Sequence, residues 1–410
     1  MTEQAKVPAI RFAGFTDPWE QRKFGDCFEF LKSNTLSRAG LNGENGTARN
    51  VHYGDILIKF GDCLDGERSD LPFITDDTVL PKFAGSILRE GDVIFADTAE
   101  DEAAGKCVEL RKLPKEPTIS GLHTIPARPR FFFGTGYLGH YLNSDAYHRQ
   151  LLPLMQGIKV ISVSKAALQD TQVRFPGLSE QAAIGAALSE IDNLITLHQR
   201  KYDKLVIFKK SMLEKMFPKD GESVPEIRFA GFTDPWEQRQ LGELVTTTIG
   251  GGTPSTSNPA YWDGEIPWIQ SSNVLEDTLF DVDIPKAITQ KGLEESAAQI
   301  VPENSIAVVT HVGVGKLIYL PFQYSTSQDF ISLCGLKGDA RYTCYALWKR
   351  LQEDLHIVQG SAIKGITKED LLEKNLPMPS VEEQAQIGVL FSQLDNLITL
   401  HQRKRLWFAK

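Results

Sequence analysis

The clearest pattern in the chain is an apolar residue every three or four positions along two long stretches. In the first, from about Gly177 to Met216, these positions alternate in steps of four and three. A period of 3.5 residues predicts a helix with a narrow apolar seam, as in a coiled coil, rather than a broad core face. With Lys209 as the one gap, the predicted seam is Ile184, Leu188, Ile191, Ile195, His198, Tyr202, Leu205 and Met212.

The second stretch, from about Ser380 onward, is a copy of the first. Residues 192–201 recur letter for letter as residues 395–404. A proline precedes each helix and blocks its extension upstream, and Ser380 with Glu383 forms a capping-box pattern. Two such helices in one chain are expected to pack on each other. The seam predicted for the second copy is Ile387, Phe391, Leu394, Ile398 and His401.

His198 and His401 occupy equivalent positions in the two seams. A polar residue at a seam position costs stability but can fix the register and orientation of the helices. We therefore expect the pair to set the register, with a metal pair or a pH switch as the alternative.

A second repeat precedes each variable region, because residues 10–22 recur unchanged as residues 227–239. Within this repeat, Asp17, Pro18 and Glu20 fit the start of a helix. Trp19 and Trp236 are expected to anchor that turn to a core. The inserts between the repeated blocks, residues 23–178 and 240–381, share little sequence, so the chain is organised as framework, insert and framework, twice.

Both inserts have the pattern of mixed α and β structure. Short apolar runs predict strands, a 3.6-residue period predicts a helix, and runs of Gly, Pro and small hydroxyl residues predict loops. The predicted elements are strands at 53–60 and 91–96, a hairpin-like unit of strands 305–310 and 316–320, a helix at 342–355, a loop at 250–259 and a linker at 218–225.

Composition narrows the classes of function. The chain has 410 residues, 41% hydrophobic and 24% charged, with a net charge of −9. An acidic chain of this kind does not coat nucleic acid nonspecifically, so any DNA contact must be local or supplemented by a basic partner. No apolar run predicts a membrane span or a signal peptide. The five scattered cysteines form no CxxC pair and are typical of a cytoplasmic protein.

Candidate chemistry is weak throughout the sequence. The glycine-rich run 132–139 matches a dinucleotide or S-adenosylmethionine loop, and residues 258–261 approach the tetrad of amino-methyltransferases. However, the run lacks the acid expected about 20 residues later, and the tetrad lacks its second proline. The histidines show no metal-binding spacing. We therefore predict no catalytic residues, no metal site and no cofactor on this chain.

The duplicated framework resembles the specificity (S) subunit of type I restriction–modification systems. The resemblance rests on the repeat 10–22 with 227–239, on the tails 175–184 and 378–387 with their Glu-Gln-x-x-Ile helices, and on Gly250–Ser255 followed by Tyr261–Trp268. It covers nearly the whole chain.

This resemblance implies an α+β fold with a pseudo-twofold internal repeat. Two mixed α/β target recognition domains would be separated by two long antiparallel coiled-coil helices. The implied boundaries are 1–176 for the first target recognition domain, 177–217 for the first helix, 218–226 for a linker, 227–379 for the second domain and 380–410 for the second helix.

The resemblance also implies a non-catalytic DNA-recognition and scaffold subunit. Each target recognition domain would read one half of a bipartite DNA site, while the helices set the spacer. The helices would bind methyltransferase (M) subunits, two in number, that carry the S-adenosylmethionine. Restriction (R) subunits would join through that complex.

Base recognition favours Arg, Lys, Asn, Gln, Ser and Thr side chains on loops near a groove. The DNA-binding residues predicted on this ground are Lys106, Arg111, Lys112, Arg128, Arg130 and Lys159 in the first insert, and Thr253, Ser255, Ser271, Asn273, His311, Lys316, Gln328, Ser361 and Lys364 in the second. Asp97, Glu100, Asp101 and Glu102 are expected to face away from phosphate or toward a partner.

Two other functions are open from the sequence. A stand-alone DNA methyltransferase would use the glycine run 132–139 and residues 258–261, and would bind S-adenosylmethionine by itself. A coiled-coil adaptor would display two variable protein-binding domains and would have no affinity for duplex DNA.

Overall fold

The computed structural model describes residues 8–67, 70–357 and 365–408. Contacts divide the chain into two compact units, residues 1–196 and 197–410. Among the described residues, no helix is both long enough and apolar enough to cross a membrane. All five cysteines are free thiols.

The first unit is built on two larger sheets and two small antiparallel strand pairs. Its main sheet has the order β2-β11-β7-β9-β5, and a second sheet has the order β10-β4-β6-β3. The strands are β1 (Glu20–Lys23), β2 (Phe28–Phe30), β3 (Leu41–Asn42), β4 (Arg49–Val51), β5 (Cys63–Asp65), β6 (Phe73–Ile74), β7 (Val93–Ala96), β8 (Thr98–Ala99), β9 (Cys107–Arg111), β10 (Thr118–Ser120), β11 (Thr124–Pro129), β12 (Ile161–Ser162) and β13 (Gln172–Phe175).

Helices of the first unit pack on the main sheet, where Phe24, Phe95 and Leu142 are completely buried. Its 3₁₀ turns are Arg38–Gly40, Asp77–Ser86 and Leu152–Leu154. The α-helices are α1 (Phe24–Cys27), α2 (Tyr53–Ile58), α3 (Tyr137–Asn143), α4 (Asp145–His148), α5 (Lys165–Asp170) and α6 (Leu178–Lys215), and α6 continues into the second unit.

The second unit has a four-stranded sheet of order β15-β21-β18-β19 and a smaller sheet of order β17-β16-β20. Its 3₁₀ turns are Pro259–Tyr261 and Ser271–Asn273. The remaining elements are β14 (Glu237–Gln240), α7 (Leu241–Leu244), β15 (Thr247–Gly250), β16 (Trp262–Ile269), β17 (Ala287–Ile288), α8 (Gln290–Glu294), β18 (Ser305–Val309), β19 (Leu317–Leu320), β20 (Ser325–Thr326), β21 (Phe330–Cys334), α9 (Ala340–Ile357), α10 (Lys368–Leu372), β22 (Asn375–Met378) and α11 (Val381–Phe408).

The main sheets of the two units share one topology. Strands β2, β11, β7 and β9 of the first unit follow the same spatial order as β15, β21, β18 and β19 of the second, and every pair within these sets is antiparallel. The two inserts therefore have a common core fold although their sequences share little.

In the second unit, the C-terminal part of α6 packs antiparallel on α11. His198 contacts His401, whereas Lys209, further along α6, contacts Asp395, which lies earlier on α11. The ammonium of Lys209 is 2.5 Å from Asp395 and lies near the rings of Tyr345 and Trp348. The gap in the predicted seam is therefore filled by a partly buried ion pair.

Most elements predicted in the inserts are confirmed, and two predictions are wrong. Residues 53–58 form helix α2, not a strand, and His52 caps it by accepting a hydrogen bond from the Gly54 amide at 3.2 Å. No helix begins at Asp17; residues 20–23 form β1, which pairs with β13. A strand partner about 150 residues later in the chain overrides the local capping pattern.

Candidate nucleic-acid interface

The two repeated blocks of the framework bind each other within each unit. Arg11 donates two hydrogen bonds to Glu180, at 2.7 and 2.5 Å, in the first unit. Arg228 donates two to Glu383, both at 2.7 Å, in the second. Both carboxylates are buried, with side chains 3% and 0% exposed. The repeated sequences are therefore a clamp that ties each insert to the start of its long helix.

The glutamine after each clamp glutamate repeats a second set of bonds. Gln181 donates to the Pro176 carbonyl and accepts from the Gly134 amide, at 2.7 and 2.8 Å. Gln384 donates to the Pro379 carbonyl and accepts from the Asp339 amide, at 2.8 and 3.1 Å. The sequence indicated this Glu-Gln pair as a mark of resemblance, and Glu383 as part of a capping box with Ser380, but it did not reveal the bonds of the clamp.

At one end of the second unit's main sheet, several loops are joined by short hydrogen bonds. The Thr310 amide donates to the Asp329 carbonyl at 2.8 Å, and the Ser327 amide donates to the Ile269 carbonyl at 2.8 Å. The Thr253 hydroxyl donates to Gln328 Oε1 at 2.5 Å. We call this surface the second loop edge; it comprises residues 251–259, 270–273, 310–316 and 327–329.

The second loop edge contains seven of the nine residues predicted to contact DNA in this insert. Thr253 and Gln328 are bonded to each other, Ser255 bonds Ser257 at 2.9 Å, and the exposed His311 approaches the Thr310 hydroxyl at 3.1 Å. Asn273 Oδ1 accepts from the Gln270 amide at 3.0 Å. The seven are Thr253, Ser255, Ser271, Asn273, His311, Lys316 and Gln328, whereas Ser361 and Lys364 lie outside the described residues.

The same end of the first unit's main sheet has equivalent bonds. The Asp97 amide donates to the His123 carbonyl at 3.0 Å, as Thr310 does to Asp329. The Val163 amide donates to the Asp97 carbonyl at 2.8 Å, as Ile366 does to Thr310. We call this surface the first loop edge; it comprises residues 97–106, 121–123 and 156–163.

The first loop edge carries both acidic and basic side chains. His123, in the left-handed region at φ 53°, lies 3.4 Å from Asp97 and packs edge-on against Tyr53. Lys106 donates to the carbonyls of Leu57 and Phe60, both at 3.2 Å. Burial lowers the pKa of Lys106 despite the opposing charge of Asp62, and burial followed by the charge of Arg38 lowers the pKa of His52.

The structure does not bring the six predicted residues of the first insert together. Lys106 and the exposed Lys159 lie on the first loop edge, whereas the other four lie at the opposite end of the strands. There Arg128 pairs with the buried Asp92 at 2.7 Å, Arg111 donates to the Ser189 hydroxyl at 3.1 Å, Arg130 donates to the Phe28 carbonyl at 3.2 Å, and Lys112 lies 3.6 Å from Asp65.

The sequence prediction did not include Asp97 and His123 on this edge, or Tyr53 of α2, which packs against His123. The charge of Asp97 predicts that it faces away from phosphate or toward a partner. The signal that identifies these residues is structural, because Asp97 and His123 occupy the positions of Thr310 and Asp329 relative to equivalent strands.

The residues considered for a methyltransferase serve as packing and turn elements. In the glycine run, the Gly134 amide donates to Gln181, and the Gly136 and Gly139 amides donate to the buried Glu109 at 2.6 and 2.9 Å. Burial raises the pKa of Glu109, although these two bonds oppose the shift. Asn258 caps the turn 259–261 by accepting from the Ala260 amide.

Several of the predicted seam residues lie in one of two hydrophobic cores, whereas Leu188 is exposed. Ile184 packs on the core of the first unit. In the second unit, Ile387, Phe391 and Leu394 are buried in one cluster with Leu213 of α6 and with Met216 and Phe217, which directly follow that helix, and Leu205 packs against it. The seam is thus part of a domain core as well as a helix–helix contact.

Comparison with known proteins identifies a consistent set of relatives. Residues 233–406 match the family model described as the type I restriction modification DNA specificity domain. A putative type I restriction enzyme MjaX specificity subunit of Methanocaldococcus jannaschii is 24% identical over 95% of this chain and 89% of its own length.

Two solved structures are similar over 98% of this chain and 95% of theirs. One is the crystal structure of a type I restriction–modification S subunit from M. genitalium, with a TM-score of 0.60 and 11% identity. The other comes from a study of complex assembly and conformational transition of the type I R-M system, with a TM-score of 0.50 and 18% identity. These likenesses show the fold.

Proposed function

We propose that this chain, which belongs to the specificity subunits of type I restriction–modification systems, reads a bipartite DNA site through its two loop edges. It is the DNA-recognition subunit and carries no catalytic activity. Each target recognition domain reads one half of the site. The observation that carries this proposal is the repetition of one loop arrangement at the same end of one sheet topology in both units.

The chemistry of the loop edges fits base recognition. Amide and hydroxyl groups such as those of Gln328 and Ser271 can donate to and accept from base edges, and a carboxylate such as Asp97 can accept from the cytosine amino group. Few cations lie on these edges and the chain is acidic overall. We infer that partner subunits supply most of the phosphate contacts.

The repeated helices supply the spacer and the partner surface in this proposal. Helix α6 has 38 residues, so it is about 57 Å long at 1.5 Å per residue and can act as a ruler. Leu197 and Leu400, at the same position of the repeated block, have side chains 46% and 44% exposed. Exposed apolar side chains at equivalent positions fit two identical partners, and we assign them to two methyltransferase subunits, which hold the S-adenosylmethionine. Restriction subunits join through that complex.

The test is methylome sequencing of cells that express this chain with its methyltransferase partner. We expect a bipartite motif with an unread gap of fixed length. Gln328→Ala should relax one half of the motif and His123→Ala the other, because each substitution removes hydrogen bonds to a base that supply about 1–3 kcal/mol of discrimination. Arg149→Ala, on an exposed side chain paired with Asp145, should leave both halves intact. A continuous motif, or one variant altering both halves, would contradict the proposal.

The partner surface has a separate test. Leu197→Asp together with Leu400→Asp should abolish copurification of the methyltransferase subunit, because a charge is placed in an apolar interface. Asn193→Asp together with Asn396→Asp adds the same charges at other exposed positions of the repeat, and the complex should remain. Equal loss in both double variants would remove these leucines from the interface.

A further inference from the structure

Two carboxylates and an imidazole from three separate segments meet inside the first unit. Asp62 directly precedes β5, His140 lies on α3 and Asp192 lies on α6. His140 Nδ1 is 3.0 Å from Asp62 Oδ2 and 3.9 Å from Asp192 Oδ2. The three possible ligand atoms all lie within 4.8 Å of one another. Sequence spacing could not reveal this group, because its successive members are about 80 and about 50 residues apart.

Bonds outside this group hold Asp62 in place. Asp62 Oδ1 accepts a hydrogen bond from Asn143 Nδ2 at 2.9 Å, and its carbonyl accepts one from the Glu109 amide at 2.9 Å. A side chain at Gly139 would place its Cβ 2.2 Å from the Asp62 carbonyl oxygen. Glycine is therefore required at position 139 for α3 to bring His140 this close to Asp62.

The second nitrogen of His140 also has partners. Nε2 lies 3.4 Å from the Ser189 hydroxyl and 4.0 Å from Cys63 Sγ. These groups hold the ring with Nδ1 directed at the carboxylates. A histidine oriented through its other nitrogen, beside a carboxylate that is itself hydrogen-bonded, as Asp62 is, is typical of metal ligands in proteins.

In the second unit, the aspartate equivalent to Asp192 is paired with a cation. Asp395 occupies the place of Asp192 in the repeated block and receives the ammonium of Lys209 at 2.5 Å and the hydroxyl of Tyr345 at 2.5 Å. Asp192 instead shares the imidazole of His140 with Asp62. Two carboxylates beside one imidazole leave negative charge where the second unit places a cation.

The geometry points to a divalent metal site of the Zn²⁺ type, with Asp62 Oδ2, His140 Nδ1 and Asp192 Oδ2 as its protein ligands. Ligand atoms bound tetrahedrally at about 2.0 Å are about 3.3 Å apart; the distances of 3.0 and 3.9 Å from His140 Nδ1 to the carboxylates are close to this value, and all three atoms lie within 4.8 Å of one another. The Asp192 side chain is 51% exposed, which leaves access for the ion and for water as the fourth ligand. The ion displaces the proton held at Nδ1 and ties α3 and the segment before β5 to helix α6. This site is independent of the proposed function.

The site is tested by isothermal titration calorimetry, in which Zn²⁺ is added to the full chain after removal of its tag and treatment with a chelator. We expect one Zn²⁺ bound per chain, with the affinity reduced about 100-fold or more in Asp192→Asn and in His140→Gln. Glu190→Gln removes the same charge from an exposed position on the same helix and should bind as the unchanged chain does. Absence of saturable binding, or equal affinity in Asp192→Asn, would overturn the site.

Two further measurements separate ligand loss from misfolding and fix the ligand set. Asp192→Asn preserves shape at a half-exposed position, so its circular dichroism should be unchanged, while Zn²⁺ should raise the Tm of the unchanged chain and not that of this variant. Cys63→Ser should retain Zn²⁺ binding, because Sγ lies on the Nε2 side of the ring. Loss of binding in Cys63→Ser would contradict the assignment of Nδ1 as the ligand atom.

Discussion

The two units of this protein share a sheet topology and a framework but little sequence between the repeated blocks. The hydrogen bonds that recur at the loop edges are between backbone atoms, such as Asp97 to His123 and Thr310 to Asp329. Backbone bonds do not require particular side chains. The comparison shows how an insert can change nearly every side chain at its loop edge and retain the arrangement of the loops.

The framework contacts follow the opposite rule. The clamp bonds of Arg11 with Glu180 and of Arg228 with Glu383 join side chains, and these residues are identical in the two units. A buried carboxylate without a counterion is costly, so neither member can change alone. The repeated residues of the clamp therefore lie where side-chain contacts hold each unit together.

The largest effect that sharpens this comparison is expected in the clamp. Arg228→Met leaves the fully buried carboxylate of Glu383 without its partner. The free energy of unfolding of the second unit should therefore fall by about 3 kcal/mol. Urea unfolding followed by tryptophan fluorescence measures this loss, because five of the six tryptophans lie in residues 197–410.

Two further variants serve as controls for the clamp prediction. Arg239→Met changes an arginine at the end of the same repeat that is 44% exposed, and should alter stability by no more than about 0.5 kcal/mol. Arg11→Met should destabilise the first unit, leaving the second-unit transition in place. If Arg228→Met were as mild as Arg239→Met, the clamp would not be the reason for the repeated sequence.

A smaller effect is expected where the two units differ. Lys209→Met removes the ammonium from Asp395, whose side chain is 22% exposed. The expected loss is about 2 kcal/mol, below that of a fully buried pair. Lys210→Met, at the next and exposed position, provides the control. Unfolding of the second unit in urea measures both, and equal stability of the two variants would mean that solvent already screens the pair.

Sequence alone predicts those parts of this fold that local patterns determine. The long helices follow from their 3.5-residue period, and the hairpin of β18 and β19 follows from two apolar runs around a glycine-rich turn. The two wrong predictions have different causes, a distant strand partner in one case and an ambiguous local pattern in the other. β1 forms because β13 lies beside it, and a short apolar run such as residues 53–58 is ambiguous between helix and strand.

The residues predicted to contact DNA show the same difference between local and distant determinants. Seven predicted residues of the second insert meet because each lies in a loop next to a recognisable strand. In the first insert, the prediction rests on positive charge, and four of the six predicted residues lie at the other end of the sheet. Which strand ends share an edge depends on non-local pairing, which a list of charged residues does not contain.

The smallest expected effect concerns the histidine pair, where the two repeats meet in the second unit. His198 Nδ1 and His401 Nδ1 are 2.8 Å apart, so one ring must donate and the other must accept. Burial, then the charges of His198, Lys201 and Lys404, lowers the pKa of His401 below its ordinary value of 6.5.

Because the folded pKa of His401 is lowered, the unfolded chain takes up the proton first as the pH falls. Stability is therefore complete above a pH of about 6.5 and declines below it until the folded ring also protonates, when the bond between the rings is broken. The expected loss is about 1 kcal/mol, the net value of one hydrogen bond.

The measurement is urea unfolding of the second unit at about pH 7.5 and about pH 5.5, on either side of the ordinary His pKa. The double variant His198→Leu with His401→Leu should remove this part of the pH dependence and raise stability at both values, since apolar residues are favoured in a helical seam. His311→Ala, at an exposed position of the same unit, should keep the dependence of the unchanged chain. If the pH dependence persisted in the leucine double variant, another group would be responsible for the proton uptake. The histidine pair would then set only the register of the helices.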